Sequence, residues 1–138
     1  MALELIQRLT SEQVKELHLL FQKEWWTRGR TLTDVRKMVE HSDLMIGFCD
    51  PERDRRLVAF TRVLTDRVYK ALLLDLIVDD AYRGQHVGRA LMEAVMQHEV
   101  VQGVKHVELY CRPEMMPFYE RWGFTTELGE LEFMRCMK

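Results

Sequence analysis

Leu72-Leu73-Leu74-Asp75-Leu76-Ile77-Val78-Asp79-Asp80-Ala81-Tyr82-Arg83-Gly84-Gln85-His86-Val87-Gly88-Arg89-Ala90-Leu91 is the stretch on which the fold turns. It begins inside the most apolar segment of the chain, Val68–Val78, which reads as a central strand buried on both faces. A polar loop carrying two glycines follows. Val87, Leu91, Ala94, Val95 and His98 then recur at helical spacing and mark a long helix. A helix start exposes backbone N–H groups without intrahelical acceptors, and the macrodipole adds positive charge there. Glycines let the backbone come close to an anion. Arg83 and Arg89 flank the loop with guanidinium groups suited to phosphate oxygens. A ligand bearing a pyrophosphate therefore fits this junction. The spacing is not Gly-x-Gly-x-x-Gly and does not end in Gly-Lys-Ser/Thr, so neither a Rossmann fingerprint nor a Walker A loop is present.

Upstream, Leu3–Ile6 reads as a short strand. Thr10 with Gln13 three residues later resembles a capping box opening a helix whose apolar stripe is Val14, Leu17, Phe21 and Trp25. Thr33 and Asp34 open a second helix with Val35, Met38 and Val39 on its apolar face. Leu44–Phe48 and Leu57–Leu64 read as strands, separated by the Asp50-Pro51 turn signal, and Thr65-Asp66 turns the chain into the central strand. Downstream, Gly103 stops the long helix and His106–Cys111 makes another strand. Pro113 begins a helix with Met115, Phe118, Tyr119 and Trp122 on one face, ended by Gly123. Phe124–Glu127 and Leu131–Met137 read as a closing hairpin. Interleaved helices and strands place the chain in the α/β or α+β class with a mixed sheet.

The 138 residues fit one domain, 1–138, without repeats or linkers. With 22 acidic and 20 basic residues the net charge is −2, which argues against a nucleic-acid binder. A hydrophobic fraction of 47% is ordinary for a globular chain. Cys49, Cys111 and Cys136 form an odd set with no Cys-x-x-Cys pair, fitting free thiols in a reducing compartment. The N-terminus carries Glu4 where a signal peptide needs basic residues, and the apolar run is broken by Asp75. A cytoplasmic protein with no membrane segment is expected. His86 has no His, Cys or acidic neighbour at ligand spacing, so no metal site is expected.

Val78 to Leu91 resembles the Arg/Gln-x-x-Gly-x-Gly/Ala cofactor signature of the GCN5-related N-acetyltransferase (GNAT) superfamily. Pro117-Phe118-Tyr119-Glu120-Arg121-Trp122-Gly123-Phe124 resembles its second hallmark, Phe-Tyr-x-x-x-Gly-Phe. The two occur in the family's order and separation, and the likeness covers essentially the whole chain. One departure stands out: the first motif glycine is His86, while the second survives as Gly88. Histidine tolerates a left-handed backbone better than a β-branched residue, which would let the loop keep its shape. Thr65-Asp66 through Asp75 bears a weaker likeness to the family's arylalkylamine branch.

The resemblance implies a mostly antiparallel mixed sheet of six to seven strands, with the fourth and fifth splayed apart and about four flanking helices. It implies acetyl-CoA as cosubstrate. Leu76, Ile77 and Val78 would lie along the pantetheine arm, and Arg83, Gly84, Gln85, His86, Val87, Gly88 and Arg89 around the pyrophosphate. It also implies direct attack by a primary amine of a small molecule on the thioester, with Tyr119 as the acid that protonates the departing thiolate. Asp75, in an otherwise apolar strand, carries two readings. Burial would raise its pKa and suit it to proton abstraction; alternatively it pairs with Arg62 or Lys70. Cys111, His98 and His106 read as packing or solvated residues. Trp25, Trp26 and Tyr69 read as core or dimer contacts, or as the lining of an amine pocket. Two rival readings are a protein lysine or N-terminal acetyltransferase, and a CoA-binding module without turnover.

Overall fold

The computed structural model describes residues 2–138. Five strands, β1 (Glu4–Ile6), β2 (Leu44–Asp50), β3 (Arg56–Thr65), β4 (Lys70–Val78) and β5 (His106–Glu108), form one sheet in the order β1-β2-β3-β4-β5. β1 to β4 are antiparallel, and β5 runs parallel to β4. The helices are α1 (Ser11–Gln22), α2 (Leu32–His41), α3 (Val87–Gln97), α4 (Glu99–Gly103) and α5 (Met116–Glu120). The mixed, mostly antiparallel sheet follows the sequence reading, with five strands and five helices where six to seven strands and about four helices were expected.

Local chemistry sets the element ends. The Thr10–Gln13 capping box forms in both directions, Thr10 Oγ1 accepting from Gln13 N–H at 3.1 Å and Gln13 Oε1 from Thr10 N–H at 3.0 Å. Asp66 Oδ1 accepts from the N–H groups of Val68, Tyr69 and Lys70 and so closes the β3–β4 turn. The fifth helix arises at His98, where the long expected helix breaks. His98 takes an extended backbone, and its Nδ1 accepts from Val100 N–H at 3.1 Å, capping α4.

Two cores lie on opposite faces of the sheet. Leu17, Phe21, Val35, Leu57, Phe60 and Ile77 pack under α1 and α2. Val58, Val63, Leu73, Leu91, Met92 and Val95 pack under α3. α1 ends before Trp25, which is exposed, as are Trp26 and Tyr69, so these aromatics are not core residues.

The closing hairpin does not form, since no ladder links residues 124–138 to the sheet or to each other. Local bonds bend the chain at Leu128 and Leu131. The tail then returns beside the segment after β5 through side chains, with the Phe133 ring 5.0 Å from Tyr110 and Arg135 over both rings. Its alternating apolar residues, Leu131, Phe133 and Met137, remain exposed.

Candidate active site

β4 and β5 pair only at Lys70–His106, Ala71–Val107 and Leu72–Glu108, and then part. From Leu73 to Val78 the edge of β4 facing β5 carries no strand among the described residues. On its other edge β4 is irregular. Phe60 opposes Ile77 and Arg62 opposes Leu74, so Asp75 and Leu76 together face the single residue Thr61. Asp75 takes a left-handed backbone, φ +57°. The extra residue reverses the side-chain alternation: Ala71 and Leu73 point to the α3 core, whereas Ile77, an even number of residues on, points to the α1/α2 core. Thr61, wholly buried, donates its hydroxyl to Leu74 O at 2.9 Å and steadies the bulge.

The bulge turns the Asp75 carboxylate toward α1 and α2, where two guanidinium groups hold it. Arg30 makes a two-pronged contact at 2.9 and 3.0 Å, and Arg62 Nε reaches Oδ2 at 2.6 Å. Burial works to raise this pKa, but the two arginines outweigh it and hold the carboxyl below its ordinary value. The elevation expected of a buried base is thus reversed, because the sequence did not place Arg30 beside it. Of the anticipated partners Arg62 is engaged, while Lys70 pairs instead with Glu108 at 3.0 Å.

Beyond Val78 the chain enters a short 3-10 turn, Asp80–Tyr82, tied down on both sides. Tyr82 donates its buried hydroxyl to Asp50 Oδ2 at 2.7 Å, a bond that lowers the Asp50 pKa and raises that of Tyr82. Asp79 Oδ1 accepts from Ala81 N–H, and its Oδ2 meets Arg56 at 3.2 Å. The loop then takes left-handed conformations at Gly84 (φ +77°) and His86 (φ +62°). His86 therefore adopts the geometry that a glycine would supply. It precedes α3 without capping it by its side chain, so the amides of the first turn face outward without a side-chain acceptor. Gly84, Gln85, His86 and Arg89 are exposed and Val87 is buried.

Gly88 lies on the floor of this junction. A Cβ there would come within 3.7–3.9 Å of Phe118, Val78 and Leu76, so one glycine adjoins the end of β4, the start of α3 and α5. Tyr119 follows on α5, its ring 5.0 Å from Phe118. Burial, with a smaller contribution from Cys111, pushes the Tyr119 hydroxyl up to about 12. Cys111 itself is shifted upward by desolvation of its thiol and by Glu114, which keeps the sulfur protonated and poorly nucleophilic. Leu76, Val78, Gly88 and Tyr119 are thus gathered at one end of the cleft, with Ile77 directed into the opposite core. Among the described residues no cluster of three or more His, Cys, Asp or Glu is placed to hold a metal, and no helix is long and apolar enough to cross a membrane.

The segment from Lys23 to Arg30, which links α1 to α2, meets the site in three places. Glu24 pairs with Arg83, Trp25 lies under Arg112 with the guanidinium carbon 4.7 Å from the ring centre, and Arg30 binds Asp75. Sequence reasoning passed over Glu24, Arg30 and Arg112, since no local spacing marks residues whose partners lie 45 to 87 positions away. Arg89 reaches Glu93 at 3.9 Å.

Comparison with known proteins agrees with this geometry. Residues 40–126 match the family model described as "Acetyltransferase (GNAT) domain". GCN5-related N-acetyltransferase 1, chloroplastic, of Arabidopsis thaliana is 30% identical over 98 residues, covering 71% of this chain and 49% of that protein. Serotonin N-acetyltransferase 2, chloroplastic, of Oryza sativa is 31% identical over 94 residues, covering 67% of this chain and 47% of that protein. The chain thus spans about half the length of these relatives. A Xanthomonas campestris structure assigned to the GNAT acetyltransferases superposes with a TM-score of 0.81 at 29% identity, covering 100% of this chain and 94% of that one. The parted β4 and β5, the uncapped start of α3 and the family match over 40–126 together establish that this chain belongs to the GNAT family of acetyltransferases.

Proposed function

We propose that the chain acts as one domain, 1–138, and transfers an acetyl group from acetyl-CoA to a primary amine of a small molecule. The observation that carries this reading is the open β4 edge ending beside the uncapped start of α3, with Tyr119 next to Phe118 at the same junction. The donor fits these residues. The left-handed Gly84 and His86 turn the loop so that the first amides of α3 face outward, and Gly88 leaves the floor clear of a Cβ.

Leu76 and Val78 would offer backbone hydrogen bonds to the pantetheine arm, as a neighbouring strand does, with Ile77 anchoring that stretch in the opposite core. The amides from Gly84 to Arg89, with the Arg83 and Arg89 side chains, would hold the diphosphate. When bound, acetyl-CoA supplies an acetyl group activated as a thioester, which a neutral amine attacks with the thiolate as leaving group. Tyr119 holds a proton for that leaving group, its hydroxyl staying protonated throughout the neutral range. Asp75, clamped between two arginines and lowered in pKa, is a poor proton acceptor; its role is to position β4 at the bulge and the α1–α2 segment through Arg30. The amine's proton then passes to water, and solvent returns a proton to Tyr119, whose high pKa favours its recovery.

The rice relative's name supports arylalkylamines as the first acceptors to try. A thiol-release assay over arylalkylamines, polyamines, amino acids and lysine peptides tests the proposal, and turnover of small amines is expected. Acetylation of the peptides alone would replace the small-molecule acceptor with a protein. Binding of acetyl-CoA without turnover would reduce the chain to a CoA-binding module.

A further inference from the structure

Arg83 is expected to serve the diphosphate, yet its guanidinium is already engaged. Nε donates to Val78 O at 3.3 Å, Nη1 meets Asp80 at 2.9 Å, and Nη2 binds Glu24. Asp80 is a local partner, three residues away and largely exposed. Glu24 lies 59 positions away along the chain, and its side chain is only 21% exposed. Glu24 belongs to a segment that touches both walls of the cleft: Arg83 beyond the end of β4, and Arg112 beyond the end of β5. That segment is internally braced. Thr27 donates its buried hydroxyl to Phe21 O at 2.7 Å, and Gln22 donates to Arg30 O at 2.9 Å. It therefore crosses the cleft as a strap.

Two carboxylates on one guanidinium leave an excess negative charge where a dianionic group must dock, and like charges at close range oppose binding. We infer that Glu24 is an internal competitor for the diphosphate: its carboxylate occupies Arg83 when no cofactor is bound and must let go when one binds. The inference rests on the acetyl-CoA reading above. Its consequence is that the strap carrying Trp25 loses its tie beyond the end of β4 as the donor binds, while the Arg30–Asp75 clamp keeps its other end on β4.

Calorimetry on the full chain tests this with wild type, Glu24→Gln and, as a control for net charge, Glu12→Gln. Glu12 is exposed on α1, and the base near it is Lys15 at 3.8 Å. Each variant is titrated with acetyl-CoA and with acetyl-pantetheine, which lacks the diphosphate. Glu24→Gln should bind acetyl-CoA about two- to fivefold more tightly than wild type, the range expected for one partly exposed ion pair. It should show no gain for acetyl-pantetheine, and Glu12→Gln no comparable gain for either ligand. If wild type binds acetyl-CoA and Glu24→Gln binds it no better than Glu12→Gln does, the competition is refuted while the acetyl-CoA reading stands. An equal gain with acetyl-pantetheine also refutes it, because the diphosphate is then not what Glu24 opposes. Failure of all three proteins to bind acetyl-CoA overturns both readings.

Discussion

Tyr119 and Asp75 show how far surroundings decide what a side chain can do. The Tyr119 side chain is half-buried and its hydroxyl is pushed up to about 12, so it is a donor at every pH where the protein would work. Tyr119→Phe keeps the ring packing against Phe118 and Phe124 and removes only the proton. Turnover should fall by roughly a hundredfold with acetyl-CoA affinity nearly unchanged, the scale of a lost general acid; unaltered turnover in steady-state assays would remove Tyr119 from the reaction. The difference in tyrosinate absorbance between wild type and Tyr119→Phe should likewise appear only near pH 12. Asp75 makes the opposite case. Removing its charge leaves Arg30 and Arg62 facing each other without a counter-ion, and Arg62 is only 14% exposed. Asp75→Asn should destabilise the fold by about 3 kcal/mol at neutral pH. Because the folded pKa lies below the ordinary 3.8, this stabilisation is present above that value and is lost as pH falls through the lower folded pKa. Chemical denaturation should show the two proteins converging in acid. A gap that persists there would assign the effect to packing instead.

At the level of elements, legibility follows the range of the interaction that specifies each one. The Thr10–Gln13 box, the Asp66 turn and the loop entering α3 are written in residues a few positions apart, and all three could be read directly. The bulge in β4 could not. An extra residue at Asp75–Leu76 is visible only against Thr61, fourteen and fifteen positions earlier, and a strict alternation misplaces Ile77. The same limit hid Arg30 from the reading of Asp75, and with it the direction of the pKa shift. The tail fails for another reason. Leu131–Met137 has strand-like alternation, but its contacts with Tyr110 are made by Phe133 and Arg135 side chains without a ladder. At the α3 junction the readable signal was Gly88. A first carbon would touch Phe118, Val78 and Leu76 at ordinary distance, and the two further methyl groups of a valine would press on the same neighbours. Gly88→Val should therefore weaken acetyl-CoA binding by about tenfold or more, with a loss of stability of about 1–3 kcal/mol from overpacking. Wild-type affinity measured by calorimetry would place the diphosphate elsewhere.

For the whole molecule, the sheet divides two cores and opens along one line. β3 is paired on both sides along most of its length, whereas β4 beyond Leu72 is paired only with β3. That asymmetry gives the fold a rigid half and a half whose exchange should depend on what lies in the cleft. A ligand that binds only the native state slows all exchange that proceeds through global unfolding, by a factor set by its concentration over its dissociation constant. Exchange through local opening is different, because it slows only where the ligand itself covers or braces the backbone. Short exchange times, which sample local opening, should therefore separate the two halves. With acetyl-CoA in excess, peptides spanning 73–89 should exchange on the order of tenfold more slowly at short times, while those spanning 44–65 stay unchanged. The α1–α2 strap gives the sharper contrast. Closing of a lid over the cofactor would protect residues 23–30 together with β4, whereas loss of the Glu24–Arg83 contact should make them exchange faster as 73–89 slow. Protection spread evenly over both cores would mean that the ligand only stabilises the fold and does not occupy the line along which β4 and β5 part.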